Sequence, residues 1–347
     1  MASLSYIEAI NRTLHEEMAR DATTFLIGED IGIYGGVFKA TRGLLQEFGP
    51  ERVIDSPISE SLIAGMTVGA AMVGCRPLPE IQFADFISPA FDQIVQQLAR
   101  FRWRTNGTYS MPVTIRTPYG GGVGGGVFHS QSNEAWFMNV PGLVMVAPST
   151  VRDAAGLLRA AIRSEDPVLY WEHKKLYRSI KDELPEDEEF VTAIGEAHVA
   201  REGRDVTAIS FGYTHHLAMT AAERLAEDGI EVEVIDLRTL LPLDTPTIKE
   251  SVAKTGKAVI VHEAPKIGGI GGEIAAVLVV GSLVLACLAV AVVGTVAWPV
   301  DGSRGGGEGG QLVQGSRRLR GGIALTFLAV AALAVPLRRR DTFDVLN

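Results

Sequence analysis

Apolar positions over residues 6–20 recur at helical spacing: Ile7, Ile10, Leu14 and Met18 share one face, with Glu8, Arg12, Glu16 and Glu17 elsewhere. From there the chain alternates short apolar runs with longer segments of helical period. Strands are predicted over residues 24–27, 52–55, 78–83, 113–116, 144–146 and 168–171, and helices over 39–48, 59–73, 89–104 and 151–163. A second alternating unit has strands over 205–211, 231–235 and 258–261, with helices over 215–228 and 245–254. This alternation predicts an α/β fold with mostly parallel sheets covered on both faces. Between the two units, KDELPEDEEF (residues 181–190) predicts an acidic surface linker. After residue 273 the pattern changes. Residues 274–300 are 27 positions without a charge and residues 321–337 another 17, separated by the Gly- and Arg-rich loop DGSRGGGEGGQLVQGSRRLR. A bilayer needs about 20 apolar residues, so the first run predicts a transmembrane helix and the second is borderline. Basic residues follow each run, which gives no consistent orientation.

Composition adds limits. The chain has 347 residues, 47% hydrophobic and 21% charged, an ordinary globular balance with length for two domains. A net charge of -9 excludes a general nucleic-acid binder. Two cysteines, Cys75 and Cys287, exclude a disulfide scaffold and fit a reducing, cytoplasmic setting. The first 21 residues carry charges where a secretory leader needs an apolar run. The charge is uneven: residues 1–273 carry 25 basic and 37 acidic side chains, residues 274–347 carry 7 and 4. All seven histidines lie at or before His262, and the last lysine is Lys266.

Candidate chemistry is sparse when read residue by residue. PYGGGVGGGVFHSQS packs six glycines between Gly120 and Gly126, which allows close backbone approach to a ligand or to another chain, and equally suits a flexible loop. Its GxGxxG match is nearly free at that glycine density, and no helix-opening pattern or GK[ST] follows, so dinucleotide and P-loop readings are rejected. His129 directly after it has a proton-shuttling side chain, yet on spacing alone reads as a hydrogen-bonded structural histidine. Glu60 lies between a strand and a helix start. The helix dipole favours a carboxylate there, and so does a ligand site at a strand's carboxyl end. His15-Glu16-Glu17 fails as HExxH, His215-His216 reads as a solvated helix pair, and no nucleophile elbow is present.

Seven segments in order carry a resemblance over residues 4–276: FLIGEDIGIYGGVFKAT (25–41), the run from RVIDSPISE to LARFRW (52–103), HSQSNEAWF (129–137), PGLVMVAPSTVRDAAGLLRAAI (141–162), DPVLYWEHKKLYR (166–178), VEVIDLRTLLPLD (232–244) and KTGKAVIVHEAP (254–265). Together they resemble the beta subunit of the thiamine-diphosphate-dependent 2-oxo acid dehydrogenases. The resemblance implies a transketolase-like pyrimidine-binding domain over residues 1–180, a linker over 181–200, a partial transketolase C-terminal domain over 201–276 and an atypical apolar tail over 277–347. It also implies a heterotetramer of two alpha and two beta chains. The alpha chain supplies the diphosphate and magnesium site through a GDG motif that is absent here. By the same resemblance Glu60 exchanges a proton with the aminopyrimidine, Ile58, Gln82 and Phe86 line its wall, and His129 assists acyl transfer to a lipoyl-bearing acyltransferase core. Asp166 with the carbonyls of Met111, Val113 and Thr114 matches a structural potassium site of some members. The EHKKLYR and HSQSNE segments look more like members acting on branched-chain 2-oxo acids, with pyruvate second. The tail departs from the family. It reads first as a foreign C-terminus from a frameshift or chimeric gene, and otherwise as a membrane anchor over residues 274–337 or the mark of an inactive subunit.

Overall fold

The computed structural model describes residues 2–185 and 189–280, and the backbone of 289–294. In chain order the first half contains β1 (Ala2–Ser5), α1 (Tyr6–Arg20), β2 (Thr24–Gly28), α2 (Leu44–Phe48), β3 (Val53–Asp55), α3 (Glu60–Met72) and β4 (Arg76–Glu80). It continues with α4 (Ala99–Arg104), β5 (Thr114–Tyr119), β6 (Val144–Val146), α5 (Val151–Arg163), β7 (Val168–His173), α6 (Leu176–Ser179) and β8 (Lys181–Leu184). The second half contains β9 (His198–Arg201), β10 (Val206–Ser210), α7 (Tyr213–Glu227), β11 (Val232–Asp236), β12 (Thr239–Leu241), α8 (Thr245–Thr255), β13 (Lys257–His262), α9 (Ile270–Val280) and β14 (Ala289–Gly294).

The first large sheet runs β12-β6-β7-β5-β4-β2-β3, parallel except for β12. Every residue of β5 and β7 is buried, as expected of strands covered on both faces. On one face α1 lays the predicted stripe of Ile7, Ile10, Leu14 and Met18 against α5, all four buried. The Ser5 side chain and Glu8 close a capping box that starts α1. The second sheet runs β14-β13-β10-β11-β9, with β9 antiparallel.

Four segments differ from the pattern reading. The helix expected over 39–48 starts only at Leu44, because Lys39 and Gly43 take positive φ and the Thr41 hydroxyl bonds the Ile31 carbonyl. The single long helix expected over 89–104 is broken. A 3-10 turn at Ser88–Ala90 leads into a π-helical stretch, Gln93–Leu98, in which Ala99 N–H reaches back five residues to Ile94, and only then α4 begins. The acidic stretch expected as a linker opens with β8, antiparallel to β1, with Lys181, Asp182 and Glu183 exposed and only Leu184 buried. A strand so charged carries no alternation to read. The expected membrane span over 274–300 begins inside α9, whose described part covers Ile270–Val280, and β14 over residues 289–294 is a strand parallel to β13. No helix among the described residues is long and apolar enough to cross a membrane. The second expected span, residues 321–337, lies outside the described residues.

The two halves are joined through buried polar groups. Ser149 Oγ donates to Asp236 at 2.7 Å and accepts from Gly212 N–H, and His216 meets the Ser149 carbonyl at 2.7 Å. His215, expected to be solvated, is buried beside Ser210. Burial, with His216 next to it, pushes the ring down to about 4, so it stays neutral. Burial and then the nearby Asp153 charge push the Asp236 carboxyl up to about 7, against the Ser149 bond. A carboxyl raised in the folded state contributes stability below its unfolded pKa and loses it as pH rises through about 7. Asp236→Asn is therefore expected to raise the urea midpoint relative to the parent at pH 8, with the gain shrinking toward pH 5.

Candidate active site

The chemistry-bearing residues gather where parallel strands end. Glu29 follows β2, Glu60 follows β3, Gln82 and Phe86 follow β4, the glycine loop and His129 follow β5, and Lys174 follows β7. This carboxyl edge is where open α/β sheets take ligands.

Glu60 opens α3 and is half-buried, with Ser59 as N-cap accepting from Leu62 N–H. The preceding Ile58 is 84% exposed, and Leu62 and Met66 on the same helix are also exposed, so an apolar surface flanks the carboxylate. Ser61 Oγ bonds the Pro89 carbonyl at 2.5 Å, tying the start of α3 to the segment that carries Phe86. Glu29, which the sequence reading missed, lies beside Glu60. Burial and then the Glu60 charge raise its carboxyl, while a bond from Ser59 N–H opposes them. One Glu29 oxygen is buried with no hydrogen-bond partner. Two carboxyl groups thus sit together at one strand edge, one of them, Glu29, raised by burial and by the other's charge.

Phe86 and His129 come together directly. The His129 ring stands edge-on to Phe83 at 4.7 Å and to Phe86 at 5.4 Å. Gln82 is half-buried on the same turn. The glycine loop has a local reason for its composition. Gly125 lies so close to His129 that an added Cβ falls 2.8 Å from the histidine Cβ. Gly120, at φ +82°, passes over the bond between His173 and Glu263, and any side chain there collides with both. Gly120→Ala is expected to lower the folding free energy by at least about 1–2 kcal/mol from backbone strain alone, read as a fall in urea midpoint. Glu134, just past the loop, is buried with neither oxygen hydrogen-bonded to a described residue, and burial pushes its carboxyl up to about 7.

A cavity of about 680 Å³ opens beside His129, with Phe38, Phe83 and Tyr177 as walls and Lys174, Lys175 and Arg178 among its lining. The remaining expected residues are elsewhere. Val113 and Asp166 precede β5 and β7, at the opposite, amino end of the sheet. The Val113 carbonyl accepts from Val168 N–H, and the Asp166 carboxylate pairs with Arg102 at 2.6 Å. The described residues hold no cluster of three or more His, Cys, Asp or Glu able to bind a metal.

The fold is that of a transketolase-type α/β protein. The transketolase pyrimidine-binding domain matches residues 2–180 and the transketolase C-terminal domain matches 195–304, so the second match runs past the composition break. The 2-oxoisovalerate dehydrogenase subunit beta of Bacillus subtilis (strain 168) is 55% identical over 278 residues, 80% of this chain and 85% of that protein. The pyruvate dehydrogenase E1 component subunit beta of Staphylococcus epidermidis is 49% identical over the same lengths. A split-gene transketolase described as an inactive beta4 tetramer superposes with a TM-score of 0.73 over 96% of this chain and 99% of its own, at 22% identity. The chain belongs to the beta subunits of the 2-oxo acid dehydrogenases, a family of thiamine-diphosphate-dependent enzymes.

Proposed function

We propose that this chain, paired with an alpha subunit in an assembly of two alpha and two beta chains, decarboxylates branched-chain 2-oxo acids and passes the acyl group to a lipoyl-bearing core. The observation that carries this reading is the half-buried Glu60 beside Glu29 at the carboxyl edge, flanked by exposed Ile58 and Leu62. A carboxylate set in an apolar, half-open surface suits the aminopyrimidine half of thiamine diphosphate, whose remaining faces an alpha chain covers. The orphaned Glu29 oxygen fits the same polar ring edge. When bound, the cofactor supplies the electron sink for loss of carbon dioxide. Magnesium and the diphosphate fall to the alpha chain, since no GDG is present here.

The residues of this chain then divide the work. Glu60 holds and returns a proton at its carboxyl oxygen, and Glu29 orients it through Ser59. Phe86 and Ile58 exclude water from the ring edge. His129 gives a proton to the sulfur released when the lipoyl disulfide opens onto the acyl carbon. The substrate choice rests on the higher identity to the 2-oxoisovalerate enzyme. With an alpha partner and thiamine diphosphate, kcat/KM for 3-methyl-2-oxobutanoate is expected to exceed that for pyruvate by at least about tenfold, the scale of a few methylenes in a pocket. The reverse ranking overturns the branched-chain assignment.

A further inference from the structure

Outside the groups already given roles, one buried charge pair touches the His129 loop from two sides. Asp85 lies in the turn between Phe83 and Phe86, its side chain 1% exposed. Its Oδ1 accepts Ser130 N–H at 3.1 Å and Gln131 N–H at 3.0 Å, the two amides directly after His129. Its Oδ2 faces the Lys174 ammonium at 3.8 Å. The Lys174 side chain is fully buried, its Nζ without a hydrogen-bond partner among the described residues. That Nζ stands 5.4 Å above the Phe83 ring, the same ring that meets His129 edge-on. Asn133 Nδ2 adds a bond to the Ala84 carbonyl at 2.8 Å.

We propose that Lys174 and Asp85 are positioning residues for acyl transfer. The pair pins the His129 loop to the Phe83–Phe86 wall, with the Lys174 ammonium facing the carboxylate that holds both loop amides. A lysine buried at this cost, with no hydrogen-bond acceptor among the described residues, is poorly explained by stability alone: an apolar side chain fills the space better. Without the cation the buried Asp85 carboxylate is left without its charge partner, which favours opening of the loop it holds.

The groups facing Lys174 fit that role. Asp85 after β4 and Glu263 after β13 both favour its charged form, while burial outweighs them and pulls the ammonium down to about 8. His173 bonds Glu263, and His129 and Lys175 share the cavity wall. Because the folded pKa is lowered, Lys174 loses its charge in the folded protein as pH rises through about 8, and the clamp weakens there.

This inference rests on His129 serving acyl transfer. The test uses the assembled enzyme with thiamine diphosphate and separates the two half-reactions. Decarboxylation is read with 2,6-dichlorophenolindophenol as electron acceptor. Acyl transfer is read as acylation of a lipoylated domain from a branched-chain acyltransferase. Lys174→Met is expected to keep the dye-linked rate within about threefold and to slow acylation at least about thirtyfold, a loss of the size assigned to one misplaced acid–base group. Lys174→Arg is expected to keep acylation within about fivefold of the parent and to remove its decline above pH 8. Hydrogen exchange of the Ser130 and Gln131 amides is expected to speed up in Lys174→Met only. An equal fall in both half-reactions, or unchanged amide exchange, overturns the proposal. His129→Ala with undiminished acylation sinks the underlying reading of His129 instead, and the exchange measurement still decides whether Lys174 holds the loop.

Discussion

Glu60→Gln is expected to lower kcat for 2-oxo acid decarboxylation about 10³-fold, within the range assigned to a positioned acid or base. The substitution keeps the length, the helix start and the Ser59 cap, so α3 and its tie from Ser61 to Pro89 stay in place. What it removes is the ability to hold and return a proton. Thiamine diphosphate binding is expected to weaken far less, since an amide still bonds a ring nitrogen and Ile58 and Phe86 still pack. Branched-chain substrates and pyruvate are expected to suffer equally, because the lost proton transfer precedes any contact with the substrate side chain. The measurement is the dye-linked rate of the assembled enzyme beside a cofactor titration. A variant within tenfold of the parent removes Glu60 from the chemistry. A variant that binds no cofactor assigns it to binding alone.

Arg116→Met is expected to cost about 3–5 kcal/mol of folding free energy, the range for breaking a buried ion pair from one side. Arg116 lies on β5, 1% exposed, between two carboxylates: Glu80 on β4 at 2.7 Å and Glu172 on β7 at 2.7 and 3.0 Å. Tyr177 donates to the second oxygen of Glu172 at 2.7 Å. Even with Arg116 present, burial raises the Glu80 carboxyl, Arg116 pulls it back, and the Glu172 charge adds to the rise. Without the guanidinium the Glu80 carboxyl rises further. A carboxyl with a raised folded pKa contributes its stability below the unfolded value near 4 and loses it as pH climbs through the folded one. The loss is therefore expected to be larger at pH 8 than at pH 5, read from urea midpoints at both. A pH-independent loss of the same size points to packing rather than charge.

The sheet architecture was legible because fully buried parallel strands write themselves as short apolar runs between amphipathic helices. Residues 151–163 and 168–171 show this, and α5 and the fully buried β7 occupy those positions. What escaped was built by geometry rather than pattern. The π-helical stretch at Gln93–Leu98 has the same period as an ordinary helix to within a residue, so sequence spacing cannot reveal it. β8 and β12 are short strands whose partners lie far along the chain, and pairing of that kind leaves no local mark. At the site, position along the chain marked Glu60 and His129 as candidates, but only the resemblance of PISE, FADF and HSQSNE to a family gave roles to them and to Phe86. Glu29 and Asp85 escaped because their roles come from contacts across strand ends, Glu29 with Ser59 and Asp85 with the amides after His129. GED and ADF show an acidic residue in each case, but not what it touches.

β12 has a consequence for the order in which the protein can be built. Its three residues close the edge of the first sheet beside β6, yet they emerge from the ribosome about 90 residues after it. At typical synthesis rates that delay is roughly 5–20 s. Throughout it the nascent chain carries β6 as an open strand, a template for pairing with a neighbouring copy on the same message. The first sheet of each newborn subunit is therefore completed late, and the β6 edge stays open until β12 has been made.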